Sequence, residues 1–211
     1  MNRAAALPRL HVVTSDDVVR RAGFFGSAER ALRAGGERLA LHLRWRGSGA
    51  ELYDLGARLS GVAADTGSAL IVSRRVDVAL AVGASGVQLG TGALPASAAR
   101  RLLGAGAWIG RSLHRVEEVG RLESAADYAF LGAVYDTASH PGRGALGVSG
   151  LRSACAAAAR PVFAIGGVRG ERVAEVTAAG AYGVAVLGAV WDAEDPAEAV
   201  GSMLDSLESS L

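Results

Sequence analysis

The chain has 211 residues, of which 50% are hydrophobic and 5% aromatic, which allows one barrel-sized domain or two small ones with a core built mainly from Ala, Val and Leu. Its formal net charge of +1 gives no reason to expect nucleic acid or an anionic membrane as a partner. Every basic residue is an arginine, so chemistry that needs a lysine amine, such as a Schiff base, is excluded.

Hydrophobic periodicity and glycine turns predict a regular alternation of strands and helices along the whole chain. The predicted strands lie within residues 10–14, 39–43, 69–72, 86–89, 108–110, 128–131, 161–167 and 183–188. The predicted helices cover residues 16–34, 51–64, 75–82, 95–103, 115–123, 149–158 and 168–178, with another after residue 188. A long loop, 132–147, follows the sixth strand.

Eight strand–helix units without a linker predict a parallel sheet with right-handed crossovers. We therefore expect a (β/α)8 TIM barrel, an α/β fold in which residues 1–211 form a single compact domain. An open doubly wound sheet is the alternative. It is disfavoured because the first strand–helix turn lacks the glycine-rich phosphate fingerprint of that fold.

Two strand–glycine–helix junctions near the end of the chain predict a phosphate site. PVFAIGG ends in Gly166-Gly167, and GVAVLG ends in Leu187-Gly188. Glycine lets the backbone approach a ligand closely, and the last strands of a β/α barrel commonly hold a phosphate at this end. The other strand ends are rich in arginine and poor in carboxylate, which favours a small anionic ligand.

Other features of the sequence predict where the protein is located and which partners it binds. Cys155 stands alone in an alanine-rich helical stretch and is predicted to be a small buried side chain rather than a nucleophile. Nothing in the sequence indicates a metal cluster, and no run approaches the ~20 apolar residues of a membrane-spanning helix. We expect a cytoplasmic protein that forms a homo-oligomer, a dimer, and binds neither nucleic acid nor membrane.

Seven segments together resemble the thiamine phosphate synthase/TenI family. In chain order they are HLRWR (42–46), SRRVDVAL (73–80), GASGVQLG (83–90), IGRSLHRVEE (109–118), ADYAFLGAVYDT (126–137), PVFAIGG (161–167) and GAYGVAVLGAV (180–190). The resemblance implies a TIM barrel that holds a phosphate of a thiazole-type ligand. Gly166, Gly167, Leu187 and Gly188 would contact that phosphate.

The resemblance also indicates whether the chain belongs to the synthase branch or to the TenI branch of the family. Its synthases couple a hydroxymethylpyrimidine diphosphate to a thiazole phosphate with magnesium, using an Asn-Asp pair, a further Asp and a Lys. The matching positions here are Ser73, Arg74, Ala93 and His140. Because the metal carboxylates are replaced, we expect the TenI branch: a thiazole tautomerase, an isomerase that needs no cofactor. Mg²⁺ would be required only if the protein were a synthase.

The TenI branch implies candidate catalytic residues. Its base follows the glycine of the sixth strand, which is Ala133 here, so His140, His114 or His42 is expected to handle the proton.

The resemblance also implies ligand contacts. Arg44 would bind the ligand carboxylate, and Ser112 and Thr137 are further candidate contacts. Two alternatives remain open: a non-catalytic, regulatory binder of thiamine precursors or products, and an atypical thiamine phosphate synthase.

Overall fold

The computed structural model describes residues 6–137 and 144–210 and confirms the predicted barrel. Eight parallel strands close in sequence order, each pairing with the next and β8 with β1. They are β1 (Leu10–Val13), β2 (Leu39–Leu43), β3 (Ala69–Ser73), β4 (Gly86–Leu89), β5 (Trp108–Leu113), β6 (Tyr128–Leu131), β7 (Val162–Ile165) and β8 (Gly183–Val186).

Helices follow every strand and cover the outside of the barrel. They are α1 (Asp16–Val19), α2 (Phe24–Gly35), α3 (Gly49–Thr66), α4 (Val76–Ala81), α5 (Ala96–Leu103), α6 (Val116–Val119), α7 (Gly147–Ala157), α8 (Val173–Ala178), α9 (Gly188–Trp191) and α10 (Pro196–Glu208). Short 3-10 turns occupy Gly36–Arg38 and Gly170–Arg172. In the described part of the chain, no helix is long and apolar enough to cross a membrane.

Two predicted helices begin or break differently in the structure. The helix expected over residues 16–34 is interrupted over residues 20–23, and Gly23, whose φ of 78° is left-handed, caps α2. The helix expected over 168–178 starts only at Val173, after the 3-10 turn. Both differences leave the order of elements unchanged.

The core has two layers of different composition. Between sheet and helices lie Ala, Val and Leu side chains, as the composition predicts. Inside the barrel, alternate residues of the strands bring aromatic rings together, including Tyr128, Phe130 and Phe163. Their centroids lie 5.4–5.9 Å apart; Phe163 packs edge-on to both other rings, and Tyr128 and Phe130 are tilted. The few aromatic residues of β6 and β7 are thus placed where the barrel must be filled.

An ion pair between Arg100 of α5 and Asp127, just before β6, lies near the amino-terminal end of the barrel. Their side chains lie 2.6 Å apart and are 22% and 7% exposed. Asp127 also accepts the backbone N–H of Ile109 at 2.8 Å, and Arg100 donates to the carbonyl of Ala107 at 2.7 Å. These residues lie at the end of the barrel opposite to the carboxyl ends of the strands, where β/α barrels bind their ligands. We therefore assign them a role in stabilising the fold.

Candidate functional site

A cavity of about 1090 Å³ opens at the carboxyl ends of the strands. The candidate residues that line it are His42, Arg44, Ser112, His114, Thr137, Gly166, Gly167, Leu187 and Gly188. His140 lies outside the described residues. The barrel therefore brings the described candidates to one place, because parallel strands end at the same rim.

The Gly166-Gly167 turn packs tightly against the loop after β6. Both glycines have positive φ, 93° and 67°. A Cβ on Gly166 would lie 2.6 Å from the Cα of Ala133, and one on Gly167 would lie 2.7 Å from the carbonyl oxygen of Asp136. Loop packing therefore requires glycine here, independently of any ligand. Among the described residues, no group accepts a hydrogen bond from the N–H of Gly167 or Gly188.

Three side chains that sequence reasoning missed support this turn. Arg172 donates to the carbonyl of Gly167 at 2.6 Å, and its guanidinium lies 4.2 Å from the centre of the Tyr135 ring. The Tyr135 hydroxyl donates to Glu175 at 2.6 Å. Burial, followed by the bond to Glu175, raises the pKa of Tyr135 to about 12, so the phenol stays protonated. Nothing in the sequence pattern connects these positions.

His42 lies beneath the cavity in contact with His11. Both side chains are fully buried, and the Nδ1 atom of His11 is 2.7 Å from Nε2 of His42. Burial lowers the pKa of His11 to about 3; burial and then the neighbouring His11 lower the pKa of His42 well below 6.5. Both rings are therefore neutral at neutral pH.

The hydrogen bonds determine which nitrogen of each ring carries the proton. Nε2 of His11 is 3.0 Å from the carbonyl oxygen of Pro8, which can only accept, so that nitrogen is protonated. Nδ1 of His11 then accepts from Nε2–H of His42, and Nδ1 of His42 is left as a buried acceptor without a partner. A neutral, anchored imidazole of this kind is suited to shaping the cavity floor.

Arg44 is positioned by Thr14, which is fully buried. The backbone N–H of Arg44 donates to Oγ1 of Thr14 at 2.9 Å, and that hydroxyl donates to the carbonyl of Arg44 at 3.2 Å. These two bonds hold the end of β2 against the end of β1. The guanidinium of Arg44 is partly buried and lines the cavity together with those of Arg46 and Arg74.

Ser112 and His114 extend the cavity wall from β5. Ser112 accepts a hydrogen bond from Gln88 Nε2 at 3.0 Å. Nδ1 of His114 is 3.1 Å from the carbonyl of Gly132, which can only accept, so this nitrogen donates. His114 is exposed, in contrast to His42. Of these two histidines, His114 is the one that solvent can reach.

The cavity does not fit a magnesium ion, which prefers several oxygen ligands in octahedral geometry. Three carboxylates line it, Asp136, Glu171 and Asp192, and Asp192 pairs with Arg21 at 2.7 Å. Within residues 6–137 and 144–210, no group of three or more His, Cys, Asp or Glu could hold a metal ion. Arg74 brings a positive charge to the rim instead.

The fold and cavity define a (β/α)8-barrel protein whose mouth combines arginines with a glycine turn, an arrangement suited to small phosphorylated ligands. A family model described as thiamine monophosphate synthase matches residues 10–190. The chain belongs to this thiamine monophosphate synthase/TenI family, as the sequence resemblance indicates.

Individual relatives agree with this assignment. A thiamine-phosphate synthase from Salinispora arenicola is 40% identical over 159 residues, which is 74% of this chain and 76% of that protein. One from Chlorobium luteolum is 38% identical over 199 residues, 93% of this chain and 92% of that protein. The solved structure of a thiamine phosphate pyrophosphorylase from Pyrococcus furiosus is 31% identical, with a TM-score of 0.83 over 96% of each chain.

These comparisons correct the expected type of enzyme. The prediction of an isomerase, with synthase activity less favoured, is wrong: relatives 36–40% identical to the chain are named thiamine-phosphate synthases. The prediction relied on the replaced residues at positions 74 and 93 and gave them more weight than the rest of the barrel. Replacement of a carboxylate shows that one way of binding a ligand is lost. It does not define the reaction.

Proposed function

We propose that the protein is an atypical thiamine phosphate synthase, which joins a hydroxymethylpyrimidine diphosphate to a thiazole phosphate. The observation that carries the proposal is the presence of two separate groups of anion-binding elements on one cavity rim. Arginines follow β2 and β3, and free glycine amides follow β7 and β8. A reaction between two phosphorylated substrates requires two anion-binding sites in one cavity. The named activity of the relatives supports the same reaction.

In the proposed reaction the thiazole nitrogen forms a bond to the methylene carbon of the pyrimidine, and the bond from that carbon to the diphosphate oxygen breaks. Pyrophosphate leaves with the electron pair. The amides of Gly166, Gly167 and Gly188 would hold the thiazole phosphate, while Arg44 would hold a substrate anion. Ser112, Thr137 and Leu187 are proposed as further contacts. This displacement requires no proton transfer at carbon, so no histidine is assigned as its base.

The test is an incubation of the purified protein with both substrates, once with Mg²⁺ and once with EDTA. The expected result is formation of thiamine phosphate and pyrophosphate in equal amounts. Arg44→Ala should lower kcat/KM by about 10- to 100-fold, the range expected for loss of a charge-assisted hydrogen bond. Arg101→Gln, on the exposed face of α5 and away from the cavity, is the matched control. Substrate binding without product under both conditions would reject the proposal.

A second candidate function is a regulatory binder of thiamine precursors or products. The observation that favours it is that Arg74 and Ala93 stand where synthases of the family are expected to have metal-binding acids. A binder would show calorimetric affinity for thiazole phosphate and thiamine phosphate and no turnover. The expected homodimer can be examined in the same preparations by sedimentation.

A further inference from the structure

Three arginines line the rim of the cavity where β2 and β3 end. These strands pair in parallel, with Leu43 opposite Val72, so Arg44 and Arg74 are carried to the same part of the rim. Arg44, Arg46 and Arg74 all line the cavity. In the described part of the chain, none of the three has a carboxylate within ion-pair distance. The site therefore carries positive charge that the protein itself does not neutralise by direct pairing.

The charges of this group affect one another. The pKa of Arg44 is lowered by burial and then by the neighbouring Arg46, with a smaller lowering from Arg74. Asp16 acts in the opposite direction, but its carboxylate accepts the backbone N–H of Arg46 at 3.0 Å. Like charges held together in this way are stabilised by a bound anion. The arrangement thus favours a ligand with several negative charges.

Arg74 adopts a backbone conformation that side chains rarely take. Its φ is 69°, in the left-handed region, where Arg74 is the one non-glycine residue among those described. The turn is held by the Arg74 N–H, which donates to the carbonyl of Gln88 at 2.8 Å, and by the Arg75 N–H, which donates to Ser73 at 2.9 Å. Glycine would take this conformation without the steric cost. Packing does not account for an arginine here, because its side chain is exposed.

We propose that Arg44, Arg46 and Arg74 form a metal-independent binding site for a diphosphate group. Guanidinium groups bind phosphate oxygens through paired N–H donors and carry a permanent charge, so they can take the charge-neutralising place of a divalent cation. The identification of the ligand as the diphosphate of a substrate, or as released pyrophosphate, rests on the proposed synthase function. The predicted affinity of the site for inorganic pyrophosphate does not depend on the synthase function. It can be measured without turnover.

The first test is calorimetric titration of the full-length protein with inorganic pyrophosphate, in EDTA and in Mg²⁺. The expected result is binding in EDTA that Mg²⁺ leaves unchanged or weakens, because the metal–pyrophosphate complex carries less negative charge. Inorganic phosphate should bind more weakly. Affinity should also fall steadily as salt is added. Pyrophosphate binding that occurs only with Mg²⁺ would overturn the proposal.

The second test uses two variants of the same residue. Arg74→Gly removes the guanidinium and relieves the left-handed backbone, so we expect a higher Tm together with a loss of pyrophosphate affinity of about 10- to 100-fold. Arg74→Lys retains a positive charge and should lose less pyrophosphate affinity than Arg74→Gly. Arg101→Gln is the control and should bind like the unaltered protein. Wild-type affinity in Arg74→Gly would show that pyrophosphate binds elsewhere and would overturn the proposal.

The two proposals fail in distinguishable ways. A protein that binds pyrophosphate in EDTA but never forms thiamine phosphate would reject the synthase function and leave the diphosphate site standing. A protein that forms thiamine phosphate but binds pyrophosphate only through Mg²⁺ would reject the metal-independent site and leave the synthase function standing.

Discussion

His11 and His42 form a hydrogen bond of 2.7 Å inside the barrel, with both rings fully buried. Such a pair resists protonation, because an added proton would place a positive charge among the aromatic rings of Phe130, Phe163 and Tyr128. The unfolded chain has no such restriction, and its histidines take up protons near pH 6.5. The stability of the fold is therefore coupled to pH through this pair.

The first prediction concerns the direction of that coupling. The native pKa values of His11 and His42 lie below the unfolded value, so the unfolded state binds more protons as the pH falls below about 6.5. The free energy of unfolding should be independent of these residues above that pH. Below it, the free energy should fall by about 1.4 kcal/mol per pH unit for each histidine. Urea unfolding between pH 5.5 and 7.5 measures the slope, in a range where carboxylates remain mostly ionised.

A control separates this pair from other histidines. His114→Ala removes an exposed imidazole outside the buried pair, so a slope that persists in this variant does not come from His114. If unfolding free energy were flat from pH 7.5 to 5.5 in the unaltered protein, the neutral buried pair would be excluded.

The second prediction concerns the glycine turn. Gly167→Ala introduces a Cβ 2.7 Å from the carbonyl of Asp136 at a left-handed position, and should destabilise the fold by about 1–3 kcal/mol. Gly61→Ala, on the exposed face of α3 with open space around it, should stabilise by about 0.5–1 kcal/mol. Chemical denaturation of both variants measures the change in the free energy of unfolding that each substitution causes. Equal effects would mean that the turn is not tightly packed against the loop after β6.

The third prediction tests Thr14 as a positioning residue. Thr14→Val keeps the shape of the side chain but leaves the backbone N–H and carbonyl of Arg44 without the hydroxyl, at a cost of about 1–3 kcal/mol in stability. Pyrophosphate affinity should fall as well, because Arg44 is no longer held. Thr177→Val is the matched control, since that hydroxyl only donates to carbonyls within its own helix. Loss of stability with unchanged affinity would limit Thr14 to a structural role.

The fourth prediction concerns the ion pair near the amino-terminal end of the barrel. Asp127→Ala leaves the guanidinium of Arg100 mostly buried and unpaired and should cost about 3 kcal/mol. Removing the exposed pair by Glu29→Gln should cost at most about 0.5 kcal/mol. Thermal or urea unfolding distinguishes the two. Substrate affinity should be unaltered in both proteins, since neither residue lines the cavity, and a loss of affinity in Asp127→Ala at full folding would contradict this placement.

Much of the fold could be predicted from sequence because strand and helix periods alternate without interruption. Three strands, β2, β4 and β6, have the predicted bounds. Helix boundaries were less predictable, since α1 ends at Val19 and α2 begins only after Gly23, whose left-handed backbone composition alone does not reveal. The barrel topology then placed the described candidate residues on one cavity, because they lie at strand ends.

The hydrogen bonds that hold the glycine turn and the buried histidines in place could not be predicted from the sequence. The hydrogen bond from Tyr135 to Glu175 joins the loop after β6 to α8, and the bond from Arg172 to Gly167 depends on the 3-10 turn between them. The proton positions of His11 and His42 depend on ring orientation. The error about the type of enzyme has a related origin. A missing carboxylate can be read from a sequence, whereas a group of arginines that meets at the same rim becomes visible only when β2 and β3 are paired.

The exclusive use of arginine as the basic residue has a consequence for how ligand binding responds to pH. Guanidinium groups remain charged throughout the range in which proteins are studied, so the cationic rim behaves as a fixed charge. A phosphate monoester gains its second negative charge near pH 6. The arginines of the receptor would therefore contribute nothing to a change of affinity around that pH, whereas the ionisation of the ligand would.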